Sequence, residues 1–373
     1  MRKMKDSGIE WIGEIPAHWT LARIGSLYGF RSKKVSDSDY PPLSVTKSGI
    51  MPQLETVAKT NAHDDRKLVK CGDFVINSRS DRRGSCGISK YDGSVSLINI
   101  VLYPIVEMNP DYYNCFFHTV GFADDFYKWG HGIVDDLWTT SWQDMKNIII
   151  IVPPLEEQKK IASFLNDKCT EIDYIIAGLK KQTETLEEYK RSVITEAVTK
   201  GLNPNAEMKD SGIDYIGNMN AKWKLTKLRY ICEKISRYFS SDAEPLICSN
   251  KGEVFPRGNN NFGLVSDNDK MFQGVHKGDL LIHGMDTWHG AIAVSDYDGK
   301  CTTVVHVCDS EQNKYFICYF LQMLAFKSVY KAISNGVREN TSDFRSWDKV
   351  GHIYITLPEI NEQNRIANYI KNK

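Results

Sequence analysis

The sequence lacks an excess of charge, a paired cysteine motif and a long apolar run. Its 47 basic and 47 acidic residues balance, so net charge gives no sign of a nucleic-acid partner, although only the contacting face of such a protein must be basic. None of its nine cysteines belongs to a C-x-x-C pair, and their odd number indicates reduced thiols. No apolar run approaches the roughly 20 residues that span a bilayer, and no signal peptide precedes Met4. We therefore expect a soluble, cytoplasmic protein.

Motifs that hold nucleotides or cofactors are also missing. The sequence contains neither G-x-x-x-x-G-K-[ST] nor G-x-G-x-x-G, the loops that cradle phosphates and dinucleotides. Its closest approach to the N-P-P-aromatic motif of adenine methyltransferases is Asn203-Pro204-Asn205, which lacks the second proline and the aromatic residue. His283, Asp286 and His289 have the spacing of metal ligands, but no cysteine accompanies them. A polar loop is the simpler interpretation. We expect no catalysis, no cofactor and no metal in this chain.

A tandem duplication is the strongest feature that is present. Met4–Trp19 returns as Met208–Trp223, 204 residues later, and Val152–Lys168 returns as Leu357–Lys373, 205 residues later. Shorter echoes between them include Gly72-Asp73 with Gly278-Asp279, and Trp142 with Trp347. A repeat of this length decides the architecture before any other feature. A complete second copy would end near residue 411 (207 plus 204), so we expect its final helix to stop after its first turns.

The segment between Pro153 and Gly201 predicts one long helix. Two prolines mark its start, and Gly201 followed by Pro204 marks its end. From Leu155 to Lys200 it has 46 residues, about 69 Å if straight. Its eight basic and nine acidic residues indicate a solvated surface that does not bind DNA. Apolar residues recur every seven positions, which is typical of a helix that packs on a partner helix; they form our candidate subunit interface, Leu165, Ile172, Leu179, Leu186 and Val193.

On either side of this helix, short apolar runs alternate with turn signals. Examples are 73–77, 95–102 and 147–152 in the first copy, and 279–283, 301–307 and 352–356 in the second. Helical patterns at 112–129 and 315–334 interrupt them, and 4–19 has the composition of an irregular segment anchored by its two tryptophans. We predict an α+β class: a domain at 1–152, the coiled-coil helix at 153–203, a similar domain at 204–356, and the start of a second helix at 357–373.

With repeat and helix in place, the chain resembles the specificity subunit of type I restriction–modification enzymes. The likeness lies in Asp6–Trp19 and Pro153–Leu165, in their copies Asp210–Trp223 and Pro358–Ile370, and in the domain–helix order. It covers nearly the whole chain. The one departure from the family pattern is the second helix, which stops at Lys373.

The resemblance implies a division of labour. In that family each domain is a target recognition domain that reads one half of a bipartite DNA sequence. The long helices pair antiparallel and dock methyltransferase subunits, which use S-adenosylmethionine to methylate adenine after flipping it out of the duplex. ATP- and Mg²⁺-dependent translocase and nuclease subunits join for restriction. This chain would then carry specificity and no chemistry, and its stripe of apolar residues could also support self-association.

Candidate DNA-contacting residues follow the Gly-Asp strand of each copy. In the first copy the loop contains Asn77, Arg79, Arg82 and Arg83, and in the second it contains His283 and Asp286. The flanking apolar strand and closing glycine match between copies while the polar residues differ, as two readers of different half-sites would require. Arginines can fork onto guanine or neutralise phosphates. A solvated charged hairpin is the alternative interpretation.

A second loop precedes the last strand of each domain, at 132–142 and 336–347. Trp142 and Trp347 hold matching places there, and we expect both in the core. Residues that could reach bases or phosphates, in these loops and in two earlier turns, are Asp135, Arg338 and Asn340, together with Lys47 and Lys251.

Two other functions fit parts of the pattern. A fused restriction–methyltransferase would need the cofactor motifs that are missing, and binding of S-adenosylmethionine by the purified chain would revive it. A coiled-coil scaffold without DNA would be eliminated by sequence-specific retardation of DNA by the assembled complex.

Overall fold

A computed structural model describes residues 3–53, 64–132, 138–258, 271–333 and 344–373. The chain forms two compact units, Met1–Ala177 and Gly178–Lys373. The boundary falls inside one long helix, so each unit includes one end of it. Both units mix short strands with helices, and the predicted α+β class with one long helix is confirmed.

The first unit contains thirteen strands among the described residues, together with four helices and the start of a fifth. The strands are β1 Met4–Asp6, β2 Glu14–Pro16, β3 Thr20–Arg23, β4 Tyr28–Phe30, β5 Lys34–Val35, β6 Leu43–Thr46, β7 Gly49–Pro52, β8 Arg66–Val69, β9 Phe74–Asn77, β10 Cys86–Ile88, β11 Gly93–Ser96, β12 Asn99–Pro104 and β13 Ile149–Val152. The helices are α1 Ile24–Leu27, α2 Pro110–Phe117, α3 Val120–Lys128, α4 Trp142–Met145 and α5 Leu155–Lys200, and Ser80–Arg82 forms a 3₁₀ turn.

The main sheet of this unit has the order β10-β9-β12-β4, with antiparallel neighbours. Successive side chains of β9 enter different cores: Phe74 and Ile76 pack with α2 and α3, and Val75 packs on the opposite side with Val101. This alternation is the two-residue period of a strand covered on both faces. The helix side is aromatic, and the rings of Phe74 and Phe117 lie 4.2 Å apart.

The second unit repeats this plan. Its strands are β14 Met208–Asp210, β15 Asn218–Asn220, β16 Lys224–Lys227, β17 Glu233–Ile235, β18 Leu246–Cys248, β19 Val254–Pro256, β20 Phe272–Val275, β21 Leu280–His283, β22 Ile292–Val294, β23 Gly299–Thr302, β24 Val305–Asp309 and β25 Tyr354–Leu357. Its further helices are α6 Lys314–Phe326, α7 Val329–Ile333, α8 Trp347–Gly351 and α9 Ile360–Lys371, with 3₁₀ turns at Leu228–Tyr230 and Thr287–His289. The sheet order β22-β21-β24-β17 matches the first unit.

In each domain, the strand that follows the N-terminal hairpin pairs with the last strand of the domain. In the first unit β3 is antiparallel to β13, and Thr20 lies opposite Val152. In the second, β16 pairs with β25, and Lys224 lies opposite Leu357. The part of each domain that follows the hairpin therefore begins and ends at the same two-stranded ribbon.

The Gly-Asp echo has a structural explanation. Asp73 is buried and accepts hydrogen bonds from the backbone N–H of Lys70 at 2.8 Å and from Arg31 Nε at 2.6 Å. Asp279 accepts from the N–H of His276 at 2.7 Å and from Arg237. A buried carboxylate of this kind holds the turn before the strand, since loss of its partner would leave an unpaired buried charge.

Three details differ from the sequence prediction. Residues 4–19 are not irregular, because β1 and β2 form a hairpin. The run 95–102 divides into β11 and β12, and 301–307 divides into β23 and β24. In the first case Asn99 Nδ2 donates to Ser96 O at 3.1 Å; the turn residues between them are apolar and gave no turn signal. Trp142 and Trp347 are half-buried and pack against the edges of the cores.

The long helix α5 begins and ends at the predicted residues, Leu155 and Lys200. Its first turns, through Ala162, belong to the core of the first unit, while Ile194 and Val198 belong to that of the second. Gly201 ends it in the left-handed region, with φ of +87°. The second predicted helix corresponds to α9.

Candidate nucleic-acid interface

The loop after β9 carries the predicted arginines, and their surroundings distinguish them. Arg79 Nη2 donates to Asp81 at 3.0 Å, and Arg83 forms an ion pair with Asp124 of α3. Arg82 is 68% exposed, and its Nε lies 3.9 Å from the nearest Asp81 oxygen. Arg82 is therefore the least constrained of the three guanidinium groups.

Asn77 begins this loop and is already used once by the protein. Its side-chain oxygen accepts a hydrogen bond from the backbone N–H of Arg79 at 3.1 Å. This local turn is a common role of asparagine. It leaves the amide NH₂ group as the donor that can face outwards.

The two predicted loops of the first unit lie against one another. The backbone N–H of Ser80 donates to Trp138 O at 2.9 Å, and the N–H of Thr140 donates to Ser78 O at 3.0 Å. The sequence had placed these loops about sixty residues apart, and the fold makes them one surface. Asp135 lies outside the described residues.

The turn that carries Lys47 lies beside the same surface. Lys47 is exposed in the hairpin of β6 and β7. That hairpin packs directly on β10, because a Cβ at Gly87 would come within 2.9 Å of the Gly49 Cα. Only a glycine allows this approach. Lys47, Arg82 and the 138–140 segment thus come from three loops around the edge strand β10.

The second unit brings the corresponding segments together. The backbone N–H of Phe344 donates to Gly284 O at 3.2 Å, which joins the second loop to the first. The turn that carries the exposed Lys251 is also adjacent, since a Cβ at Gly290 would lie 3.7 Å from Asn250 O. Arg338 and Asn340 lie outside the described residues.

The chemistry of this second surface differs from that of the first. His283 Nδ1 lies 3.1 Å from the backbone N of Asp286 and 3.3 Å from the carboxylate of the same residue. Burial lowers the pKa of His283, and the Asp286 carboxylate opposes that shift. A half-buried imidazole beside a carboxylate presents a different pattern from the arginines of the first unit.

Neither a metal site nor a membrane span is found among the described residues. No group of three or more His, Cys, Asp or Glu side chains in these ranges is placed to hold an ion. His289, one of the three residues with ligand spacing, lies against the Trp288 ring with centroids 3.6 Å apart. No helix in the same ranges is long and apolar enough to cross a bilayer.

The middle of α5 presents the predicted apolar stripe to solvent. Every residue from 166 to 192 is exposed, including Ile172 at 54%, Leu179 at 57% and Leu186 at 59%. Leu165 and Val193, at the two ends, are half-buried. Ile175 and Tyr189, which form a second seam four residues ahead of the heptad positions in the sequence, are exposed as well. The heptad argument missed three further exposed apolar side chains beside the stripe: Phe164, Tyr174 and Ile176.

Comparisons with known proteins agree with this architecture. A family model, the type I restriction modification DNA specificity domain, matches residues 16–187. A Methanocaldococcus jannaschii protein named "Putative type I restriction enzyme MjaX specificity subunit" is 23% identical over 96% of this chain and 88% of its own length. The type I restriction enzyme MjaVIII specificity subunit of the same organism is 26% identical over 67% of this chain and 57% of its own length.

The fold has a counterpart among solved structures. A chain from a study titled "Structural basis underlying complex assembly and conformational transition of the type I R-M system" superposes with a TM-score of 0.64 at 15% identity, covering 96% of this chain and 90% of its own. At that identity the likeness concerns the fold. Together with the family model over residues 16–187 and the two relatives, it makes this chain similar to the specificity subunits of type I restriction–modification systems.

Proposed function

We propose that this chain reads a bipartite DNA target, with one half-site contacted by each unit. The observation that carries the proposal is the duplicated surface. Each unit joins the same two loops and one hairpin turn around an edge strand, β10 or β22, yet presents different polar side chains there. Identical scaffolds with different outward groups suit two different half-sites, so the target should be asymmetric.

On the first surface, Arg82 and Asn77 are the proposed base readers. An exposed guanidinium can donate two hydrogen bonds to guanine O6 and N7, and an amide can pair with adenine. Arg79 and Arg83, held by Asp81 and Asp124, fit phosphate contacts or loop support. Lys47, and Asp135 in the adjoining loop, complete the proposed set.

On the second surface, His283 and Asp286 are the proposed base contacts, the imidazole as a hydrogen-bond donor and the carboxylate as an acceptor. Lys251 fits a phosphate contact, because it is exposed in a turn beside the loop. Arg338 and Asn340 remain proposed readers from sequence alone.

We also propose that the exposed stripe of α5 docks other proteins. Each large apolar side chain gains about 1.5–3 kcal/mol from burial, and a continuous exposed row of them marks an interaction surface. The proposed partners are methyltransferase subunits, and through them restriction subunits, or α5 of a second copy. S-adenosylmethionine, ATP and Mg²⁺ would bind to those partners.

These roles divide the chain functionally at 1–152, 153–203, 204–356 and 357–373. The division keeps α5 as a segment of its own, whereas the compact units each include one end of it. The four segments are therefore defined by their proposed roles, whereas the two compact units are defined by the contacts within each of them.

Methylome sequencing tests the reading proposal. Cells expressing this chain with its methyltransferase subunits should gain adenine methylation at a split, asymmetric motif with an unread spacer of fixed length. The control is the same cells without this chain. A contiguous motif, or methylation that does not depend on the chain, would contradict the proposal.

A further inference from the structure

Side chains of helix α3 contact both ends of the loop that follows β9 in the first unit. The buried Tyr127 donates its hydroxyl to Asn77 O at 2.9 Å, and the same oxygen lies 3.4 Å from Arg82 O. Its two acceptors are therefore the backbone carbonyls of the two proposed base readers. Burial raises the pKa of Tyr127, so the hydroxyl remains a donor at any physiological pH.

A second side chain of α3 reinforces this contact. Asp124 lies three residues before Tyr127 and so on the same face of the helix, and it forms an ion pair with Arg83 at the end of the loop. The helix also holds the neighbouring loop, because Thr140 Oγ1 donates to Phe126 O at 2.9 Å. One short helix thus fastens both segments of the proposed reading surface.

We propose that Asp124 and Tyr127 are positioning residues that set which base pair Arg82 and Asn77 reach. The inference rests on the proposed reading function and deepens it. Neither side chain needs to touch DNA. A base-contacting side chain on a preorganised loop loses less conformational entropy on binding DNA. A small displacement of the loop backbone also moves the hydrogen-bond donor of that side chain away from the base edge. Loss of these contacts should therefore reduce discrimination more than it reduces binding.

In the second unit a residue of α7 contacts the corresponding loop. This residue is Lys331. Its Nζ lies 4.4 Å from the centroid of the Trp288 ring, and Trp288 belongs to the loop that follows β21. A helix therefore contacts this loop in both units, through a tyrosine hydroxyl in the first and a cation–π contact in the second.

Tyr127→Phe is the decisive variant, because it removes one oxygen and leaves the ring. Tyr113→Phe is its matched control: Tyr113 is fully buried in the same core, and its hydroxyl has no hydrogen-bond partner among the described residues. Each variant is assembled with the methyltransferase subunits, and methylation is measured on a library in which every position of the wild-type target is randomised.

The expected result for Tyr127→Phe is a loss of discrimination of about fivefold, the factor that one neutral hydrogen bond is worth. It should be confined to one or two adjacent positions of the half-site read by the first unit. Tyr113→Phe should keep the wild-type profile. Lys331→Met should relax only the other half-site, which makes the two effects separable.

A charge pair provides a second matched comparison. Asp124→Asn should relax the same half-site as Tyr127→Phe, whereas Asp125→Asn alters the charge of the same helix by the same amount and should not. Thermal unfolding of all variants is measured in parallel, since a merely structural role would lower stability and methylation at every position together.

The outcomes separate this inference from the function on which it rests. If the wild-type complex shows no sequence preference, the reading proposal fails. If the wild type is specific and Tyr127→Phe has the same profile as Tyr113→Phe, the reading proposal survives and the positioning role is wrong. Uniform loss at all positions would also overturn it.

Discussion

The indole N–H of Trp19 donates a hydrogen bond to the Glu157 carboxylate at 3.0 Å, and this bond ties the N-terminal motif to the start of α5. Trp223 and Glu362 repeat it at 3.1 Å. The neighbouring glutamine has an equally constant role: Gln158 Oε1 accepts from the N–H of Asn109 at 2.9 Å, and its Nε2 donates to Pro153 O at 2.8 Å. The Glu-Gln pair of the repeated motif therefore fastens a helix to its domain.

Removing the indole N–H should loosen the start of α5. Trp19→Phe eliminates a hydrogen bond to a charged group, an interaction worth about 1.5–3 kcal/mol. We expect amide hydrogen exchange at 157–165 to accelerate by about tenfold or more, with little change at 194–200. Trp11→Phe is the control, because Trp11 packs on Phe116 and Gly121 instead. Equal acceleration in both variants would contradict the assigned role.

The second unit should lose stability in mild acid. His306 is buried, its Nε2 donates to Phe344 O at 2.7 Å, and its Nδ1 has no partner among the described residues. Burial lowers the pKa of His306, and Lys234 and His283 lower it further, against the hydrogen bond to Phe344. The unfolded chain, with a histidine pKa near ~6.5, then binds protons more readily than the folded one.

It follows that the stabilisation contributed by the neutral His306 is fully present above about pH 6.5. The free energy of unfolding falls as the pH drops from there towards the lowered pKa of the folded state, by at most about 1.4 kcal/mol per pH unit for one such group. Hydrogen exchange in β21 and β24 should accelerate between pH 7.5 and 5.5, after correction for intrinsic rates, while β9 and β12 serve as the internal control. His306→Gln keeps a donor for Phe344 and should weaken this dependence. If hydrogen exchange in His306→Gln depends on pH as it does in the wild type, the loss of stability in acid is due to other groups.

Substitution of Arg82 and of Arg79 by alanine should affect DNA binding in different ways. Arg82→Ala should cost about 1–3 kcal/mol and relax one position of the first half-site, because its guanidinium is the most exposed of the three. Arg79→Ala should weaken binding to all sequences and lower its salt dependence. Titration of the assembled complex with cognate and single-mismatch duplexes at two salt concentrations distinguishes the two. Identical profiles for both variants would refute the distinction.

A charge within the α5 stripe should affect assembly and not folding. Leu179 is 57% exposed, so Leu179→Asp should change the free energy of unfolding by no more than about 0.5 kcal/mol while abolishing the complex with its partner helix. Asn166→Asp introduces the same charge roughly 140° around the helix and is the control. Light scattering and co-purification provide the readout. If the Leu179→Asp variant still forms the complex, the docking proposal is wrong.

Lengthening the helix by whole heptads tests whether it sets the spacer. Seven residues inserted after Leu179 add about 10 Å to α5 and preserve its apolar repeat. The methylated motif should retain both half-sites and change only the number of unread base pairs. Four inserted residues would break the repeat and should reduce assembly. Altered half-sites with the original spacer would be the contrary result.

The sequence predicted α5 to the residue because an apolar heptad, two prolines and a closing glycine all agree there. It predicted the candidate loops from differences between copies, yet it missed Asp124 and Tyr127. Their side chains act on a loop about fifty residues away, and no local periodicity encodes such a contact. The split of 95–102 into two strands was missed for a related reason, since its turn residues are apolar and only the fold reveals the reversal.

The pairing of Thr20 with Val152, and of Lys224 with Leu357, has a consequence for how such a chain can change. The stretches 20–152 and 224–357 each begin and end at one two-stranded ribbon, so either of them can be exchanged while both of its ends keep their strand pairing. If each unit reads one half-site, as proposed above, a recombination event that exchanges 20–152 for the equivalent stretch of a relative would change that half-site preference in a single step. The incoming stretch would have to keep its contacts with the first turns of α5, among them the hydrogen bond from the Asn109 N–H to Gln158.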